Sequence, residues 1–302
     1  MEKIDEYIII KKLINFLKAN YLGKDISLFL CGGAAAQQAK FRYSLGKKIS
    51  DLKSKYIYSI YYPETLFMEL LLGHNATDSL RLENYLAESV NAIVIPLQSP
   101  GTFTELGAFS NHHLLKDKLI VIIDPKYKLK NSFINSGPIK LLKEETQSQI
   151  IYSEMNLTTI NQLSYDITEA ARTIVKVQPL SISFDNIVSS QLLYLCIVYI
   201  FDPVDIDLFR TIIKYVNQGN ILPYKEETIL ANITRQGNIK VIENKKLTFA
   251  ENGFNITLQK NGFNNKHIKD LLLKLSEYRV DALNVYFRKK GVNFGGNRYY
   301  SV

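Results

Sequence analysis

The chain has no tryptophan, and its two cysteines, Cys31 and Cys196, lie far apart, each inside an apolar run. That excludes a small secreted scaffold held by disulfides and reads as two buried thiols in a reducing, cytoplasmic compartment. The best apolar run, Gln191–Phe201, is far shorter than the roughly 18 residues that span a bilayer, so no membrane role is expected. The start, MEKIDEYIIIKKL, lacks the signal-peptide order of basic region, apolar run and small-residue cleavage site. A Walker A loop, a G-x-G-x-x-G fingerprint, a Ser/His/Asp triad and internal repeats are also missing. The four histidines, His74, His112, His113 and His267, have no metal-ligand spacing. His112 and His113 are expected on opposite sides of a helix, so no metal is expected.

What remains is a basic, tyrosine-rich chain of 302 residues with formal net charge +8 and 19 Tyr. Its length allows two domains and its charge favours polyanionic partners. Short apolar runs at Ile26–Cys31, Ile57–Tyr61, Ala92–Leu97, Leu119–Ile123 and Ile150–Tyr152 read as strands. Helical periodicity separates them, at Ala34–Ile49 and Ser79–Val90 for example, after an opening helix at Ile8–Ala19 and before a closing one at Thr159–Val177. Alternating strand and helix predicts an α/β fold, a doubly wound parallel sheet, over residues 1–178.

Such sheets bind ligands at the carboxyl ends of their strands. Gly32 and Gly33 follow the first strand and let backbone amides approach a phosphate or sugar; a plain tight turn serves equally. Tyr62 and Glu64 end the second strand, one able to stack on a base, the other a general acid or an ordinary helix-start carboxylate. Arg42 is a surface charge or a ligand contact. After the third strand, Ser99-Pro100-Gly101 makes a turn and Thr102 opens a helix, which puts Glu105 in its first turn. Thr102 and Glu105 fit the S/T-x-x-E capping box, in which Glu105 only reaches back to the Thr102 amide. Equally, a carboxylate at that edge can attack the anomeric carbon of a sugar.

The run SPGTFTELGAF resembles the G-x-x-x-E-L-G-x-A element of nucleoside deoxyribosyltransferases, whose glutamate is the nucleophile. More closely, FLCGG, YPETLF, LENYLAESV, SPGTFTELGAFSN and SFINSGPIKLL, in this order across the first half, resemble effector subunits of bacterial retron antiphage systems with a deoxyribosyltransferase-like domain. The resemblance implies Glu105 as nucleophile, with Gly32, Gly33, Arg42, Tyr62, Glu64, Asn84, Ser99, Gly101 and Thr102 as substrate contacts. It implies no cofactor, NAD or a related nucleotide as substrate, and toxicity held back until infection. It also implies a complex with a reverse transcriptase and its multicopy single-stranded DNA, and shared sites in a homo-oligomer. One departure stands out: deoxyribosyltransferases carry an aspartate where this chain has Asn84, with Glu83 and Glu88 as neighbouring substitutes. A non-catalytic nucleotide sensor that binds nucleic acid is the alternative.

Pro179 and Ser181–Ser183 mark a composition break. Beyond it, helices at Gln191–Ile200, Asp205–Val216 and Lys225–Thr234 precede a hairpin of Ile239–Ile242 and Lys246–Phe249. Three helices and a hairpin outline a smaller winged-helix-like α+β domain over 179–302. Lys225, Arg235, Lys240, Lys245 and Lys246 gather around its third helix and wing, and Arg288, Lys289 and Lys290 lie in a basic aromatic tail after a helix from His267. These residues suit phosphate and base contacts, or a docking platform for protein.

Overall fold

The computed structural model describes residues 5–20, 25–33, 35–54, 56–62, 84–85, 87–129, 131–177, 187–218, 223–235, 237–242, 245–250 and 265–289. Its first unit is built on β1 (Asp25–Leu30), β2 (Ile57–Tyr61), β3 (Ala92–Pro96), β4 (Leu119–Ile123) and β5 (Gln149–Tyr152). All five strands run parallel in the order β2-β1-β3-β4-β5. Every residue of β3 and β4 is buried, as expected of central strands covered on both faces. The expected α/β parallel sheet is therefore present, with strand order reversing between β1 and β3.

Helices α2 (Ala36–Ser50) and α6 (Ile160–Val177) cover one face of the sheet. Phe41, Leu45 and Ile49 from α2, with Leu163, Ile167 and Ile174 from α6, close over Leu28, Val94 and Ile120. Between them come α3 (Pro100–Ser110), α4 (Phe133–Ser136) and α5 (Pro138–Glu145). The chain turns at Gly137 between the last two, where an added Cβ would lie 2.8 Å from the Phe133 carbonyl oxygen.

The second unit has its own antiparallel sheet. The order is α7 (Ile187–Phe201), β6 (Val204–Asp205), α8 (Ile206–Val216), α9 (Pro223–Arg235), β7 (Ile239–Ile242), β8 (Lys246–Phe249) and α10 (Asn265–Lys289). The strands are ordered β6-β8-β7. The hairpin and helices match the sequence expectation; β6 was not anticipated, because two residues are too few to show alternation. Arg279 of α10 donates to the carbonyls of Tyr199 (2.6 Å) and Asp202 (3.1 Å). Asp202 in turn accepts from Thr248 Oγ1 and the Phe249 amide of β8.

Helix α1 (Glu6–Asn20) groups with this second unit and not, as expected from its place before β1, with the domain over 1–178. Its stripe of Ile9, Ile10, Leu13 and Leu17 is fully buried. It meets α8 through Tyr7 and Tyr215, with ring centroids 4.5 Å apart, and α10 through Phe16 and Tyr278. Among the described residues no helix is long and apolar enough to cross a membrane.

One buried cation holds the approach to β3 and β4. Lys118 Nζ donates to the carbonyls of Ala87 (3.1 Å), Glu88 (3.0 Å) and Val90 (3.0 Å), where the helical residues 87–89 end. Carbonyls at a helix end have no partner in the helix itself, so a lysine can satisfy them. Burial pushes the Lys118 pKa from 10.5 down to about 8, while Glu88 pulls it back up. Between those values the unfolded chain keeps a proton that the folded chain has released, so raising the pH favours folding. Lys118→Met should cost about 1–3 kcal/mol of unfolding free energy. That deficit should widen from pH 8 towards 10, as read by denaturant titration; a deficit that shrinks over this range would contradict the assignment.

Candidate functional site

The reversal of strand order brings two loops together at the carboxyl edge of the sheet. One follows β1 and contains Gly32 and Gly33; the other follows β3 and contains Ser99, Pro100 and Gly101. Their closeness is measurable. A Cβ added to Gly33 would sit 3.0 Å from Ser99 Cβ and 1.8 Å from Gln38 Oε1. Gln38, in the first turn of α2, donates through Nε2 to the Gln98 carbonyl at 2.7 Å. Gln98 in turn donates to the Met155 carbonyl at 3.1 Å. Gln38 thus ties the two loops, and sequence reasoning missed it because a glutamine on a polar helix turn looks like any solvated one.

Helix α3 begins earlier than its sequence suggests. Pro100 occupies its first position, where a missing N–H costs nothing. Ser99 is the N-cap: its Oγ accepts from the Thr102 amide (3.3 Å), and Thr102 Oγ1 accepts from the Ser99 amide (3.1 Å). The capping box is therefore Ser99 with Thr102, and the expected pairing of Thr102 with Glu105 is replaced by it. Glu105 falls in the second turn, not the first. It is half-buried, one turn after the buried Thr102 and one before the buried Phe109, and its Oε2 is shielded from solvent. At Gly101 the surroundings are open: an added Cβ would meet only Ser99 Oγ, at 3.7 Å.

Beside Gly32 lies Arg42, which is only 4 % exposed and so is no solvated surface charge. Its Nη1 donates to the Gly32 carbonyl at 3.2 Å. Its guanidinium carbon lies 5.1 Å from the Tyr43 ring centroid and 5.6 Å from that of Tyr62. Tyr62 reaches back over α2, where a Cβ on Gly46 would come within 2.0 Å of its hydroxyl. Burial raises the Tyr62 pKa to about 12, against a lowering by Arg42. Gly32, Gly33, Arg42, Ser99, Gly101, Thr102 and Glu105 thus belong to two neighbouring loops and the helices that follow them, and Tyr62, just after β2, packs against Arg42.

The remaining expected residues divide differently. Asn84 is half-buried in the helical residues that lead to β3. Glu88, a neighbouring substitute for an acid at Asn84, has its carboxylate 4.0 Å from His112 Nε2, past the far end of α3 from Ser99. His112 and His113 do not face opposite sides of a helix; they follow α3 with stacked rings, centroids 5.1 Å apart. No group of three metal-ligating side chains occurs among the described residues. Glu64 and Lys290 lie outside the described residues. Lys225 and Arg235 belong to α9 and Lys289 ends α10, with side chains outside the description. Lys240 and Lys245 are exposed, Lys246 is partly so, and Lys240 and Lys246 are diagonal neighbours on one face of the β7–β8 ribbon. Arg288 is exposed near the end of α10 and donates to the Asn284 carbonyl.

Comparison with known proteins gives consistent matches. Residues 38–247 match the STM3845 retron effector protein family. The chain is 34% identical over 257 residues to an Escherichia coli protein named as a candidate ribosyltransferase and DNA-binding protein of retron Ec86, covering 80% of both chains. It is 28% identical over 162 residues to the protein similarly named for retron Ec73 of Escherichia coli, covering 52% of this chain and 48% of that one.

Two glycines test the loop contact. Gly33→Ala must push Gln38 off the Gln98 carbonyl and crowd Ser99, at a cost of about 1–3 kcal/mol. Gly107, inside α3, has no atom within 4 Å of an added Cβ, so Gly107→Ala should stabilise by roughly 0.5–1 kcal/mol. Chemical denaturation of both variants checks the pair; equal effects would mean the loops do not abut.

Proposed function

Since the chain belongs to the retron effector family, we propose that it is the toxic effector of an antiphage defence system and cleaves an N-glycosidic bond of NAD or a related nucleotide. In this reading residues 25–177 form a nucleoside deoxyribosyltransferase-like domain. One observation carries it: the Gly32-Gly33 and Ser99-Gly101 loops abut at the strand-order reversal, and Glu105 sits on the helix that starts there. That is where open α/β sheets hold their ligands. The ribosyltransferase wording in the names of both Escherichia coli relatives supports the same class of chemistry.

The proposed mechanism uses this chain's own groups. Gly32, Gly33 and Gly101 present backbone amides to the sugar and its phosphate, Arg42 adds positive charge, and Tyr62 forms a wall for a base. Glu105 attacks C1 of the ribose as the N-glycosidic bond breaks and the base departs with the bonding electrons. Water then releases the sugar from the glutamyl ester and regenerates the carboxylate. Asn84 contacts the sugar or base through its amide. Activity is restrained by the reverse transcriptase and multicopy single-stranded DNA of the same retron, in a cytoplasmic, oligomeric complex.

The second unit supports nucleic-acid or partner contact. Its order of helix, strand, two helices and two strands, with β6 beside β8 and β8 beside β7, fits a winged helix. Lys240, Lys245 and Lys246 then lie on the wing, and the DNA-binding wording in the relatives' names agrees. A nucleotide sensor without turnover is the second reading, favoured by Asn84 in place of an acid.

Purified protein, alone and with its retron partners, should release nicotinamide from NAD, followed by liquid chromatography. Glu105→Gln should slow release by roughly a hundredfold or more while leaving the fold intact. Intact NAD after hours in every preparation would favour the sensor. Replacing Lys240, Lys245 and Lys246 together by Ala should weaken retention of the single-stranded DNA and flatten its salt dependence. Each lost phosphate contact removes about 0.7 from the log–log slope for single strands, read by anisotropy across salt concentrations.

A further inference from the structure

A basic pocket lies at the outer edge of the parallel sheet, away from the loops after β1 and β3. It has a volume of about 210 Å³ and is lined by Lys128, Asn135, Lys140, Lys143, Glu144 and Tyr152, among others. Tyr152 is the last residue of the edge strand β5, and the three lysines come from the residues after β4 and from α5. Two of them converge on this tyrosine. Lys143 Nζ donates to the Tyr152 hydroxyl at 3.0 Å, and Lys128 Nζ lies 4.9 Å from the centre of the same ring.

The charge balance there is unusual. Lys126 nearby is paired with Asp124 at 2.8 Å. Among the described residues, Lys128, Lys140 and Lys143 have no carboxylate within ion-pair distance, and Glu144, which lines the same pocket, reaches none of them. An ammonium has three donors, so Lys143 keeps two after its bond to Tyr152, and the Tyr152 hydroxyl can itself donate. Two exposed rings are close in the chain to lining residues: Phe133, 82 % exposed and two residues before Asn135, and Tyr127, 43 % exposed and next to Lys128. Lysines around a concavity, with exposed rings beside it, are the groups that hold phosphates and stack bases.

We propose that this pocket binds a phosphate ester of a nucleotide, with Lys128, Lys140 and Lys143 opposing its charge and Tyr152 donating to a phosphate oxygen. Pockets that enclose a drug-sized ligand run to roughly 300–1,000 Å³, so this one takes a phosphate and the sugar attached to it, not a whole dinucleotide. Glu144 repels a second phosphate on its side and favours an ester over a polyphosphate. The phosphate belongs either to a free mononucleotide or to the backbone of a single strand. This inference does not depend on glycosidic cleavage at Glu105, and the assay runs in a Glu105→Gln background so that turnover plays no part.

Full-length protein is titrated with AMP by calorimetry and with fluorescein-labelled oligothymidylate by anisotropy, each with and without Lys128→Gln/Lys143→Gln. The double substitution should weaken at least one probe tenfold or more, and Tyr152→Phe should weaken the same probe two- to fivefold. Loss of AMP binding identifies the free nucleotide as ligand. Loss confined to the oligothymidylate, with a shallower salt dependence, identifies the strand. Contacts elsewhere on the chain affect parent and variant equally. Unchanged binding of both probes in a double variant with parental circular dichroism would overturn the proposal, as would failure of the parent to bind either.

Discussion

The candidate site depends on how β1 meets β3. These strands are not consecutive, yet they are neighbours, and the chain leaves them towards opposite sides of the sheet. Their pairing is fixed at its lower end by two buried polar residues. Asn91 Oδ1 accepts from the Ser27 amide (2.9 Å) and hydroxyl (2.8 Å), and the Asn91 amide returns a bond to the Ser27 carbonyl at 2.9 Å. A buried network of this kind is costly to leave half satisfied, so it specifies one register. Slipping β3 by one residue would break these bonds and turn every side chain to the other face. In the observed register the Cys31 amide reaches the Val94 carbonyl, and the Gly-Gly and Ser-Pro-Gly loops emerge side by side.

A second constraint acts on the helix that follows. The amide groups at a helix start need acceptors, and the nearest carboxylate is usually drawn into that service. Here Ser99 and Thr102 close the cap between them, and Pro100 brings no amide at all. Glu105 is thereby not needed at the helix start. It sits a turn further along, on the side that carries Thr102 and Phe109 into the protein. A half-buried carboxylate on a rigid helix, next to an open glycine, has the attributes of a positioned reactive group under the proposed chemistry.

The sheet was legible because its strands are short β-branched runs separated by helical periodicity, and β2 and β4 fall at the residues the pattern indicates. The helix start at Pro100 was less so: S-x-x-T and T-x-x-E overlap in SPGTFTE, and only the backbone angle of Ser99, extended at φ −141°, decides between them. Three contributors left no mark in the sequence. Gln38, Lys118 and Arg279 act through backbone carbonyls far along the chain, and no local pattern distinguishes a lysine that crosses to three carbonyls from one in water. Helix α1 was misgrouped for a similar reason: an apolar stripe states that it will be covered, not by which partner.

The site's charges bear on which bond the proposed chemistry would break. A base that leaves as an anion needs a proton from a neighbouring acid, whereas a pyridinium ring leaves as a neutral molecule and needs none. Asn84, where deoxyribosyltransferases carry an acid, cannot supply a proton, and Glu88 lies beside His112 past the end of α3, while Glu64 and Glu83 lie outside the described residues. Arg42, buried against Gly32, places positive charge beside the Gly-Gly loop, where the proposed chemistry puts a phosphate. A cationic leaving group joined to an anionic phosphoribosyl half satisfies both conditions at once. Under the proposed chemistry, these two features favour a pyridine nucleotide over a neutral nucleoside.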